Sequence, residues 1–188
     1  MLICKWNFAA TLSIAACLCV NGVSYGQTAT VYAWNVLGGG SQDWQTAGNW
    51  TPATVPNSSL SAADLSVALT SNLNVDLGPS DVTVAALTLG GTAGAVTTTV
   101  AAGTAGTDLV MHNTDTTLNG GNAWITSGGV AGSTNVISAP IVSNNERVEF
   151  AAAGTNDATL SSVFRYNGTS ASIRNLMPAA RKVTLAGG

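Results

Sequence analysis

The chain has 188 residues, with six basic and nine acidic side chains, a formal net charge of −3, one histidine and three cysteines. Charged residues make up 8% of it, against about 25% in an average soluble domain. That balance excludes a basic surface of the kind that neutralises nucleic-acid phosphates, and it leaves little with which to do acid–base or metal chemistry.

Met1 to Lys5 forms a short, positively charged start, and Phe8 to Val20 is an apolar run broken only by Thr and Ser. Ser24-Tyr25-Gly26 then supplies small residues at the two positions a signal peptidase reads. The expectation is a signal peptide over residues 1–26, cleaved after Gly26, and a secreted or cell-surface protein. The run is too short and too rich in Ala, Ser and Thr for a membrane span, which needs about 20 predominantly apolar residues. A second reading takes Ile14-Ala15-Ala16-Cys17 as a lipobox with Cys17 as the lipidated residue. Ordinary cleavage is preferred, because the apolar run continues past Cys17. All three cysteines, Cys4, Cys17 and Cys19, lie in this leader, so the mature chain is expected to hold no disulfide.

Residues 27–58 read as a Trp-rich N-terminal cap. Trp34, Trp44 and Trp50 surround a Gly38-Gly39-Gly40-Ser41 turn, in a spacing that fits a small hairpin element. The first edge of a stack of strands needs covering, and three large rings suit that task. The alternative is a carbohydrate platform, in which indole faces meet the C–H groups of a pyranose and indole N–H groups bond hydroxyls. Burial is preferred because tryptophan is highly buried on average.

Residues 59–188 read as repeats. Ser59 to Leu69 suggests a short helix or a loop, from apolar Leu60, Ala63, Leu65 and Ala68. After it, Leu73, Val75 and Leu77 alternate with Asn72, Asn74 and Asp76; Val82 and Val84 flank Thr83; Leu87 and Leu89 flank Thr88. Each is the period of a half-buried strand. Further strands are predicted at 107–111, 123–126, 135–142, 147–151, 159–166, 171–176 and 182–186, punctuated by Gly pairs and by Pro79, Pro140 and Pro178. Apolar centres at Leu87, Leu109, Ile125, Val148, Phe164 and Val183 recur in uneven steps of about twenty residues, which suit the turns of a solenoid. The expected fold is all-β, a parallel β-solenoid (β-helix) behind the Trp-rich cap, with a β-sandwich as the alternative. The closing strand and glycine turn at Val183 to Gly188 read as the cut end of a longer repeat protein.

Candidates for chemistry are few. His112 and Asp115 invite a Ser-His-Asp triad on paper, but no Gly-x-Ser-x-Gly elbow singles out a nucleophile. The acids are scattered singly, and one histidine cannot build a zinc site. Trp124, alone before Ile125, reads as packing. No catalytic residue, metal ligand or cofactor is assigned, and the chain is read as a non-enzyme.

Ala33-Trp34-Asn35, Asp43-Trp44, Gly48-Asn49-Trp50 and Val55-Pro56, with the later Leu87-Thr88-Leu89-Gly90 and Asn135-Val136-Ile137-Ser138-Ala139-Pro140-Ile141, resemble the N-terminal portion of bacterial autotransporter-associated β-strand repeat proteins. The resemblance covers about residues 28 to 150 of the sequence. It lacks the family's Gly- and Asn-rich repeat unit and its C-terminal translocator barrel or sorting helix. It implies a β-helical passenger, an adhesin or extracellular-matrix component. The expected function is therefore a non-catalytic structural or adhesive surface protein, with a carbohydrate-binding module built on Trp34, Trp44 and Trp50 as the alternative. Its expected partners are polysaccharide or cell-surface components, with no nucleic acid. Membrane contact would come only through a lipid at Cys17 or through a further C-terminal region.

Overall fold

The structure, a computed structural model, describes residues 28–104, 106–145 and 147–152, and beyond them the backbone of four short strands within 158–185. The expected signal peptide over residues 1–26, the expected cleavage site at Gly26 and the candidate lipidation residue Cys17 lie outside the described residues.

Strands dominate, and among the described residues helix is confined to two 3₁₀ turns, Ala47–Asn49 and Asn119–Gly121. In chain order the first strands are β1 (Thr30–Trp34), β2 (Gly40–Asp43), β3 (Trp50–Thr51), β4 (Ser61–Leu65), β5 (Leu73–Asp76) and β6 (Val82–Val84). They continue as β7 (Ala86–Leu89), β8 (Thr97–Ala101), β9 (Leu109–Met111), β10 (Ala123–Ser127), β11 (Thr134–Ile137) and β12 (Ile141–Ser143). The last are β13 (Arg147–Ala152), β14 (Ala158–Leu160), β15 (Phe164–Tyr166), β16 (Ser172–Asn175) and β17 (Val183–Leu185).

These strands sort into three hydrogen-bonded sheets. The first has the order β16-β13-β10-β7-β4-β1-β3, the second β17-β14-β11-β8-β5-β2 and the third β15-β12-β9-β6. The first sheet is mixed, because β1 and β3 pair antiparallel through Trp34 and Trp50 while its other pairs are parallel. The Trp-rich segment thus shares two sheets with the later strands, β1 pairing β4 and β2 pairing β5.

Alternation explains each strand. Ser61, Ala63 and Leu65 of β4 face inward, as do Leu73 and Val75 of β5. In register they form inward rows: Ala63, Leu87, Ile125 and Phe150 in the first sheet; Val75, Val100 and Ile137 in the second; Val82, Leu109 and Ile141 in the third. All ten residues belong to one core cluster. Burying a Val, Leu, Ile or Phe contributes about 1.5–3 kcal/mol, and a slip of one residue would turn a whole row to solvent, so the inward rows set the register.

Turns add a second tie between neighbouring strands. Asn57 Oδ1 accepts the N–H of Thr83, Asn72 Oδ1 that of Thr97 and Asp81 Oδ1 that of Asp108, each at 2.8 Å and across 26, 25 and 27 residues respectively. Close approach at the turns demands glycine: a Cβ built on Gly103 would fall on the Gly78 carbonyl oxygen.

Several expectations are corrected. The architecture is several parallel and mixed sheets and not the single parallel β-solenoid (β-helix) with a separate Trp-rich cap read from the sequence. The residues whose spacing carried that reading do not mark equivalent positions: Leu87, Ile125 and Val148 are in the first sheet, Leu109 and Phe164 in the third, and Val183 in the second. Their steps measure distances between sheets, not a repeat. The β-sandwich alternative fails because all strand pairs but β1–β3 are parallel. Ser59 to Leu69 holds strand β4, neither helix nor featureless loop. The segments 135–142 and 159–166 each split into two strands belonging to different sheets.

Candidate functional site

Trp34, Trp44 and Trp50 are brought together and are 2%, 0% and 1% exposed. The antiparallel pairing of β1 with β3 sets Trp34 opposite Trp50. Their rings meet edge to face at 4.9 Å and 88°, and Trp44 meets Trp50 at 4.7 Å and 62°. Such aromatic pairs add about 0.5–1.5 kcal/mol beyond the area they bury. Every indole N–H in the cluster is engaged: Trp34 donates to Val36 O, Trp44 to Pro56 O and Trp50 to Trp44 O, at 2.9–3.0 Å. Neither the ring faces nor the N–H groups are presented to a ligand.

The fourth described tryptophan differs. In β10 the residues Ala123, Ile125 and Ser127 face the core, so Trp124 points outward and is partly exposed. Its indole N–H donates to none of the described residues. Register places Ala86 and then Ala62 beside it on one side and Glu149 on the other. Ala86 is 3% exposed although it faces outward and lies outside the core cluster, and Trp124 is the only large side chain next to it in register. One step along the same face, Thr126 and Thr88 sit side by side, with Asp64 beyond. The row continues across β4 to Val31, which is 60% exposed. The outer face of the first sheet is thus an apolar row beginning at Val31 and ending at an indole, with threonine hydroxyls along one side.

Between β9 and β10 the segment 112–122 forms a strap across the strand starts. Thr114 N donates to Ser59 O at 3.2 Å, and Ala29 N donates to Asp115 Oδ2 at 2.8 Å. At its other end Asn119 Nδ2 donates to Glu149 Oε2 at 2.9 Å, and Asn145 Nδ2 bonds Asn113 O and Gly121 O. The strap therefore touches the entries to β1, β4 and β13. Asp115 is buried and also accepts from the Thr117 hydroxyl and the N–H groups of Thr117 and Leu118. The Thr117 hydroxyl, then the Ala29 N–H, hold its carboxyl below the usual aspartate value, against the opposing effect of burial. That carboxylate is occupied by strap and strand backbone, so the paper triad with His112 has no free acid. Glu149, 3% exposed, is held by Asn119 and by Arg147 at 3.6 Å. Among the described residues no three His, Cys, Asp or Glu side chains gather where a metal could be held.

No protein-family model, curated protein or solved structure matches this chain.

From the sequence alone Trp124 reads as packing, and this face goes unnoticed. The signal is present in the period-two run Ala123-Trp124-Ile125-Thr126-Ser127, which sets Trp124 and Ile125 on opposite faces.

Proposed function

We propose that this chain is a secreted or cell-surface, non-catalytic protein of adhesive or matrix type, and that it contacts neutral polysaccharide through the outer face of the first sheet around Trp124. Export is supported by the leader at residues 1–26, and the adhesive role by the opening's resemblance to surface repeat proteins. The observation that carries the contact is the outward Trp124 ring, whose N–H donates to no described residue, set among Ala86, Thr88 and Thr126. A partly exposed indole offers apolar area to sugar C–H groups and a donor to a hydroxyl, while neighbouring threonines offer further hydrogen bonds. The carboxylates on this face are already engaged, Asp64 by Ser66 and Glu149 by Asn119 and Arg147, and that favours a neutral glycan over a charged one.

Retention of the full chain on insoluble neutral polysaccharides and on a glycan array tests the reading. The wild type is expected to be retained and the Trp124→Ala variant, still folded by circular dichroism, to be lost from the same matrix. Equal retention of the two proteins, or no retention of either across the array, would overturn the Trp124 contact.

A further inference from the structure

Two buried side chains of the second sheet carry polar atoms without partners. Thr98 Oγ1, on a residue 0% exposed, and Asn135 Oδ1, on a residue 1% exposed, make no hydrogen bond. Thr98 of β8 and Asn135 of β11 are direct register partners, facing inward in a row that begins at Leu73. The other half of the Asn135 amide is fixed: Nδ2 donates to Ser127 Oγ at 2.9 Å and to Gly128 O at 2.8 Å. These two bonds set which way the amide points, because exchanging its ends would put an oxygen against the Gly128 carbonyl. Oδ1 is thus committed as an acceptor.

A buried carbonyl oxygen and a buried hydroxyl left unbonded are costly, and native interiors rarely hold them singly, still less side by side. Neighbouring strands lie about 4.8 Å apart. The two atoms do not bond one another, and side chains in register on neighbouring strands are near enough for one water to bond both. We infer that Thr98 Oγ1 and Asn135 Oδ1 form a binding site for a single internal water molecule, which bridges β8 to β11 and pins their register. The water donates one proton to Asn135 Oδ1 and exchanges a second hydrogen bond with the Thr98 hydroxyl, meeting the minimum of two polar partners that a buried water requires. Its position has a structural consequence. The strap segment lies between β8 and β11 in the chain, and a directional polar link at Thr98 and Asn135 adds an inward restraint to the backbone and serine bonds that already join the ends of these strands.

Two measurements on the full chain test this. A crystal structure at a resolution that shows ordered water is expected to place density within hydrogen-bonding distance of both atoms; a dry site there would overturn the inference. Thermal melting of Thr98→Val reads the same point by sign. With a bridging water, the isosteric valine removes one of its two partners and strands Asn135 Oδ1, so the melting temperature falls by several degrees. Without it, valine merely removes an uncompensated buried hydroxyl and the melting temperature rises, which would refute the site. Thr98→Ser retains the hydroxyl and is expected to keep the water density, separating loss of the bridge from loss of packing.

Discussion

The molecule places its described tryptophans in two settings. At the N-terminal end three rings pack edge to face, buried to 2% exposure or less, each N–H closed onto a backbone carbonyl of residues 36–56. On the outer face of β10 one ring lies beside alanines, and its N–H donates to no described residue. The same side chain therefore serves as core at one end and as surface at the other. What separates the two is the phase of the strand and the size of the register neighbours, since a tryptophan beside tryptophans is covered and one beside alanines is not.

Breaking the first setting should have the largest effect. Trp44→Ala removes a fully buried ring, takes its edge from Trp50 and strands the Pro56 carbonyl. The expected loss is about 3–5 kcal/mol, read as a shift in the midpoint of urea unfolding, and enough to threaten a domain of ordinary stability. A loss under about 1 kcal/mol would mean that the ring is not the core element described.

An intermediate effect is expected where the two settings are tied together. The strap runs close to Glu149, beside Trp124, and its Asp115 holds Ala29 at the entry to β1. Because the folded-state pKa of Asp115 lies below its ordinary value of 3.8, its contribution to stability is present in full above that value and is lost as pH falls through the folded-state value. Asp115→Asn should lower stability at neutral pH and flatten the part of the acid unfolding curve that lies below about pH 4. Parallel curves for variant and wild type would show that the carboxylate does not anchor the strand.

Trp124→Ala should have the smallest effect on folding and the largest on binding. An outward, partly exposed ring costs far less to remove than a buried one, so the unfolding midpoint should move by under about 1 kcal/mol while glycan retention is lost. Destabilisation matching that of Trp44→Ala would erase the distinction between the two settings.

How far the sequence reveals this arrangement varies along the chain. Leu73, Val75, Val82 and Val84 alternate cleanly with polar neighbours, and each faces inward as the period requires. Strand β4 is hidden because its first inward residue is Ser61, whose hydroxyl is paired with that of Ser58, so a polar residue occupies a core position. Strand β8 is hidden for a similar reason: the run Thr97-Thr98-Thr99 shows no contrast, although Thr98 is buried and its neighbours are not. The burial of Trp34, Trp44 and Trp50 is foreseeable from the general habit of tryptophan. Their edge-to-face contacts are not, since these depend on β3 folding back against β1.

Local pattern by itself determined that the chain is strand-rich, which residues of the clean strands turn inward, and where glycine and proline interrupt them, because alternation and backbone freedom are properties of adjacent residues. Only the tertiary structure decided which sheet each strand joins and which residues become neighbours. A parallel pair joins strands that are distant in sequence, as the turn bonds across 25 to 27 residues illustrate, and period two says in or out without naming the wall. Trp124 beside Ala86, and Thr98 against Asn135, are products of that pairing. Both the proposed surface contact and the proposed internal water rest on juxtapositions that no stretch of adjacent residues contains.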